Sequence, residues 1–89
     1  MLFENKNFEV RYIEYINKED YLHDFYVNIK NFDTPPVNIK YDIRKEKIVS
    51  MWIEEENDDN IPKNQVSFKI LDLARYELCS IFKFMISHI

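Results

Sequence analysis

The chain predicts an α+β fold, a four-stranded antiparallel β meander packed on one face by a long C-terminal helix. Three observations carry this expectation. Between Phe8 and Glu55, apolar and aromatic residues alternate with polar ones over several short segments, the period-two signature of half-buried strands. Charged or proline-bearing breaks separate those segments and are short enough to join antiparallel neighbours. From Asn64 to Ile89 the apolar residues recur at helical spacing instead.

Met1 to Lys6 reads as a loose start. From Phe8, residues Phe8, Val10 and Tyr12 alternate with Glu9 and Arg11, and Ile13, Tyr15 and Ile16 extend the run, so a strand is expected. Asn17 to Asp20 is a polar break that suits a hairpin turn. Tyr21 to Phe32 carries both periods: Tyr21, His23, Phe25, Val27 and Ile29 alternate, while Leu22, Phe25, Ile29 and Phe32 lie at helical spacing. The strand is preferred because β-branched and aromatic residues dominate and the neighbours are strands. Asp33 to Pro36 ends it, since two prolines fix φ and remove two amide donors.

Val37, Ile39, Tyr41 and Ile43 alternate with Asn38, Lys40, Asp42 and Arg44 in the clearest strand pattern. After the charged turn Arg44 to Lys47, Val49, Met51 and Ile53 interleave with Ile48, Ser50 and Trp52 as far as Glu55. Without glycine this hairpin needs a loop of about four or five residues. If Val49, Met51 and Ile53 face the helix, Ile48 and Trp52 point to the uncovered side, where Ile13 or Tyr12, Tyr15 and Tyr26 can join them.

Asn64, after Pro62, is the expected N-cap of a single helix running to Ile89. At about 100° per residue, Leu71, Ala74, Leu78, Ile81, Phe82, Met85 and Ile89 share the core side, with Ile70, Cys79 and Ile86 at its margins. Lys69, Asp72, Ser80, Lys83 and Ser87 lie opposite. Leu73, Tyr76 and Phe84 also project outward, where a monomer gains nothing from them. They are the expected oligomerisation residues of a possible homodimer.

Composition narrows the function. An 89-residue chain that is 46% apolar and 31% charged suits one folded domain. Sixteen carboxylates against 12 Lys and Arg leave a net charge of -4, which disfavours phosphate backbones and anionic lipid and favours a basic partner. Cys79 stands alone, so no intramolecular disulfide or multi-cysteine zinc site is expected, and a reducing cytoplasmic compartment is the default. The N-terminus lacks the pattern of a signal peptide. The apolar tail from Ile81 contains Lys83 and is shorter than the roughly 20 residues of a membrane span. Abundant Ile and Asn resemble the usage of AT-rich genomes, such as low-GC bacteria and their phages.

Catalytic constellations are weak. His23 and Asp24 are adjacent on a strand and so point to opposite faces, His88 suits the last turn of a helix, and no serine sits in a nucleophile elbow. Cys79 reads as a small buried hydrophobe. With no glycine in the chain, the phosphate loops of Walker and dinucleotide-binding type are excluded. No cofactor, no metal and no enzymatic activity are expected. The acidic run Glu54, Glu55, Glu56, Asp58 and Asp59 lacks the central glycine of a calcium loop and serves either as a solvated connector or as a contact for a basic surface.

The expected function is therefore a small acidic interaction module that binds and blocks a macromolecular target. Phage anti-defence proteins of anti-CRISPR-like kind and toxin-immunity proteins share its size and charge, and a basic nuclease surface is the type of partner they suggest. The partner-binding residues would be Tyr15, Tyr26, Trp52, Glu54, Glu55, Glu56, Asp58 and Asp59. A homo-oligomeric scaffold or chaperone-like role is the first alternative. A single-strand nucleic-acid binder, using Arg11, Lys40 and Arg44 beside aromatic residues, is the second and is disfavoured by the net charge.

Overall fold

The computed structural model describes residues 1–13, 19–53 and 61–88, and the side chains of those residues except 61–64. It is an α+β fold: one antiparallel sheet of five strands in sequential order, followed by two C-terminal helices. The strands are β1 Leu2–Glu4, β2 Phe8–Ile13, β3 Leu22–Ile29, β4 Val37–Asp42 and β5 Lys47–Trp52. The helices are α1 Ile61–Leu73 and α2 Arg75–Ile86.

The expected meander stands, with β3 a strand as its aromatic and β-branched content implied. The strand count needs correction, because the supposed loose start forms β1. Leu2, Phe3 and Glu4 pair with Arg11, Val10 and Glu9. What holds this short strand is a side-chain turn cap together with contacts to the residue following β3 and to α2, Asn5 Nδ2 donating to Glu77 Oε1 at 3.2 Å. The Asn5 side-chain oxygen accepts hydrogen bonds from the amides of Asn7 and Phe8 at 2.9 and 2.8 Å, closing the β1–β2 turn without glycine. Lys30 forms an ion pair with Glu4. Asn5→Ala is expected to cost about 1 kcal/mol through the lost turn bonds, read as a lower urea midpoint. An unchanged midpoint would show that β1 pairs without the side-chain cap.

The single helix from Asn64 to Ile89 is also corrected. Helix α1 begins at Ile61, so Asn64 lies inside it and is not its N-cap. Pro62 is tolerated there because amides of the first turn have no intrahelical acceptor. The helix is interrupted at Ala74, with φ -97° and ψ 14°. The interruption is shallow: Ala74 N–H still donates to the Ile70 carbonyl at 3.1 Å, and Leu78 N–H to that of Ala74 at 2.9 Å. Ile89 lies outside the described residues.

The core lies between the helices and one sheet face. Phe8, Val10, Phe25, Val27, Ile39 and Tyr41 from β2 to β4 meet Leu71, Leu78, Ile81, Phe82 and Met85, all buried. Phe82 is its centre, stacked on Phe25 at 4.2 Å between ring centroids and tilted against Tyr41 at 5.5 Å.

In β5 the expected alternation breaks. Ile39 pairs with Met51 and Lys40 with Ser50, but Tyr41 pairs with Ile48. Val49 is thus an extra residue, a bulge, and a bulge changes which face the preceding side chain takes. Ile48 therefore packs against the core together with Met51, contrary to its expected place on the uncovered side, and Val49 is exposed. The four-residue turn before it, Ile43 to Glu46, is closed by the Lys45 amide donating to Asp42 Oδ1 at 3.0 Å. Glu46 takes the left-handed conformation at φ 55° and binds Lys83 of α2 at 2.8 Å.

Candidate functional site

Both helices pack on one side of the sheet and leave its other face uncovered by helix, although Asp24, Asn38 and Asp42 on that face are buried. The pairing register places Leu2, Arg11, Tyr26, Asn38 and Trp52 in one row across all five strands. The next row holds Ile13, Asp24, Lys40 and Ser50. Two of the expected partner-binding residues, Tyr26 and Trp52, thus fall in the same row on either side of Asn38, each 36% exposed. Neighbouring strands lie about 4.8 Å apart, so the backbones bearing the two rings are separated by about 10 Å.

Between and beside those rings sit two polar side chains that sequence reasoning did not select. Asn38 is 3% exposed and its Nδ2 has no acceptor; Asp24 is 4% exposed and neither carboxylate oxygen has a donor. Burial pushes the Asp24 pKa up from its ordinary value, and Lys40, directly opposite on β4, partly counteracts this. Most buried polar groups in folded proteins find partners. Alternation predicted the outward direction of Asn38, but burial depends on neighbours that no local pattern specifies. At one end of this face, Glu9, Arg11, Tyr26, Asn28 and Pro36 line a cleft of about 210 Å³.

The larger cavity, about 680 Å³, lies between β5 and the helices. Ile48, Val49, Met51, Tyr76 and Cys79 supply its apolar wall, and Glu46, Lys47, Asp72, Arg75 and Lys83 its charged rim. Much of that rim is internally paired, Glu46 with Lys83 and Asp72 with Arg75. Cys79 is half-buried, and desolvation raises its pKa against the opposing influence of Lys83 and Arg75.

The three expected oligomerisation residues are not gathered into one patch. Leu73 and Tyr76 are each 78% exposed on either side of the Ala74 break, and Tyr76 lines the β5 cavity. Phe84 stands on the opposite flank of α2, edge-on to Phe3 of β1 at 6.1 Å and against His88 at 4.2 Å. The partner-binding residues Tyr15, Glu54, Glu55, Glu56, Asp58 and Asp59 lie outside the described residues.

His23 faces the core side, away from Asp24, as adjacency on a strand requires. It shares a hydrogen bond of 2.9 Å with the Tyr12 hydroxyl, and burial lowers its pKa. Among the described residues, no three His, Cys, Asp or Glu side chains gather as a metal site would need, and no helix is long and apolar enough to cross a membrane.

Both sheet edges are blunted. β1 is only three residues long, and β5 carries a lysine and the Val49 bulge, devices that discourage strand addition. The sheet face away from the helices, where Tyr26 and Trp52 are partly exposed, is the better candidate surface. Comparison of the chain with protein-family models, with curated proteins and with solved structures finds no match.

Proposed function

We propose that this protein is a non-enzymatic interaction module that binds a macromolecular target through the sheet face away from its helices and blocks it, in the manner of phage anti-defence and toxin-immunity proteins. The observation that carries this reading is the placement of Tyr26 and Trp52 on either side of the partnerless Asn38 amide, on the face the helices leave uncovered. Aromatic residues concentrate the energy of protein interfaces, above all where they enclose groups that must be desolvated. The net charge of -4 selects a basic surface, such as that of a nuclease, and gives association a salt-dependent rate. The acidic run Glu54 to Asp59 adds to that attraction.

The test is quantitative capture from host lysate, and from cells expressing bacterial nucleases, with wild type and a Tyr26→Ala, Trp52→Ala variant. Both side chains are half-exposed, so the variant is expected to stay folded and lose its partner by at least about tenfold, the scale of a hot-spot residue. Equal capture by the folded variant would remove that sheet face as the binding surface.

A second reading, a homo-oligomeric scaffold or chaperone-like protein, is supported by the exposure of Leu73 and of Tyr76, the latter at the β5 cavity. Light scattering after size exclusion separates the two. A dimer dissociated by Tyr76→Asp would favour assembly through that flank, and one dissociated only by Phe84→Asp would favour the β1 flank. Single-strand nucleic-acid binding draws on Arg11, Tyr26 and Trp52 in one row, but Glu4, Glu9 and Asp24 share that face and would repel phosphates.

A further inference from the structure

We infer that the cavity between β5 and α2 binds a small amphipathic carboxylate, an aryl or medium-length alkyl acid. Its apolar body would lie against Val49, Met51 and Tyr76, and its head group would be taken by Arg75. The site lies apart from Tyr26 and Trp52 and does not depend on the interaction reading.

Size sets the first limit. The cavity holds about 680 Å³, within the range of about 300–1,000 Å³ usual for small-molecule sites. Along α2 its wall runs from Arg75 to Lys83, and at about 1.5 Å per residue those steps span about 12 Å. The Lys83 end carries the ion pair with Glu46 at 2.8 Å, which ties α2 to the β4–β5 turn. Such a length suits a bicyclic ring or a medium alkyl chain.

The wall sets the second limit. Val49 and Tyr76 are large apolar residues left 51% and 78% exposed. Both line this cavity, one from the β5 bulge and the other from α2. An apolar body placed between them takes both out of water at once. Met51 adds a side chain that adapts to the shape of what it meets.

Charge selects the head group. Lys47, Arg75 and Lys83 outnumber Glu46 and Asp72 around the cavity. The adjoining cleft, which shares Lys47 and Val49, adds Arg44 and Lys45 against Asp42. A chain of net charge -4 thus carries a local excess of cations here, and such an excess concentrates anions. Arg75 is placed to hold one, since its guanidinium lies 5.2 Å from the centre of the Tyr76 ring. It meets Asp72 through Nη1 alone, at 3.3 Å. A guanidinium has further N–H donors in a fork that matches a carboxylate, and an exposed pair such as Arg75 with Asp72 is weakly held.

Other ligands answer fewer of these groups. A cation would meet Glu46 and Asp72 already paired, and a neutral apolar molecule would gain nothing from Arg75. A peptide strand laid along β5 would have to pair across the Val49 bulge.

The test titrates 1-naphthylacetate into the ¹⁵N-labelled protein, beside its neutral counterpart 1-naphthylacetamide. The acid is expected to give saturable shifts centred on the backbone amides of Val49, Tyr76 and Ser80. It should also slow alkylation by iodoacetamide of Cys79, the single thiol of the chain and part of the cavity wall. The neutral amide, and the Arg75→Gln and Tyr76→Ala variants with the acid, should each bind at least about fivefold more weakly, the loss expected for one charged hydrogen bond or one aromatic contact. Arg75 and Tyr76 are both exposed, so these variants are expected to keep the wild-type thermal midpoint. Lys6→Gln makes the same change in net charge as Arg75→Gln, at an exposed residue between β1 and β2, and should bind as wild type.

Equal binding of the acid and the amide would make the cavity a general apolar site and overturn the inference. So would equal weakening by Arg75→Gln and Lys6→Gln, which reduces the effect to overall charge. Shifts centred away from β5 and α2, saturation that leaves Cys79 as reactive as before, or no saturable shift at millimolar acid would each overturn it as well.

Discussion

Phe82→Ala is expected to destabilise the fold by about 3–5 kcal/mol, the range for removing a large aromatic from a core that cannot fully collapse. Phe82 is completely buried, and its ring is stacked within 19° of parallel on Phe25 while touching Tyr41. It thus joins α2 to β3 and β4 together. A chain of 89 residues holds a total stability of about 4–13 kcal/mol at the usual 0.05–0.15 kcal/mol per residue, so this one truncation consumes a large part of it. Phe84→Ala, two residues on but half-exposed on the β1 flank, should cost less than about 1.5 kcal/mol because most of its surface never leaves water. Urea denaturation followed by far-UV circular dichroism compares the two. Similar losses would mean that α2 does not present Phe82 to the sheet.

The stripe that makes this prediction possible is legible in the order of the amino acids alone. Leu71, Leu78, Ile81, Phe82 and Met85 recur at helical spacing because the helix has one partner, the sheet, and burial on one side leaves a periodic record. Strands β2 to β4 are legible for the same reason. Other features leave no such record. β1 is too short for a period and is held by partners distant in the chain, Glu77 on Asn5 and Lys30 on Glu4. The break at Ala74 has neither proline nor glycine to announce it, and the residue there is an excellent helix former. In β5, alternation gives the wrong face for Ile48 because one bulged residue, Val49, reverses the sides of everything before it.

The candidate surface divides along the same line. Tyr26 and Trp52 stand out in the sequence as large side chains on a strand face with no second helix to cover it. That they belong to one row depends on the register across three strands, and a register is a tertiary fact. Asn38 and Asp24 read as ordinary outward polar residues. Their interest comes from being enclosed and unbonded, which no composition or spacing encodes. The expected trio Leu73, Tyr76 and Phe84 shows the converse: a shared outward direction in a helical projection is not a shared patch, because the sheet beneath separates Tyr76 on the β5 side from Phe84 on the β1 side.

Asp24→Asn is expected to stabilise the free protein at neutral pH by about 1 kcal/mol, because the amide stays a buried polar group but no longer carries a charge, and to have little effect in strong acid. The sign follows from the direction of the shift. Burial holds the folded-state pKa of Asp24 above its unfolded value, so the folded chain keeps this proton over a window in which the unfolded chain has released it. Stability contributed by Asp24 must therefore fall as pH rises from the ordinary aspartate pKa through the folded one, and stay low above it. The advantage of the variant should appear as pH rises through that window and then level off. His23 acts in the opposite sense at higher pH, since its lowered pKa makes the folded state lose stability as pH drops below the ordinary histidine value. It is common to both proteins and cancels in their difference. Thermal midpoints of wild type and variant across pH measure that difference. A variant less stable than wild type at pH 7, with the gap closing in acid, would mean that the Asp24 carboxylate is paired in solution, with Lys40 the nearest candidate.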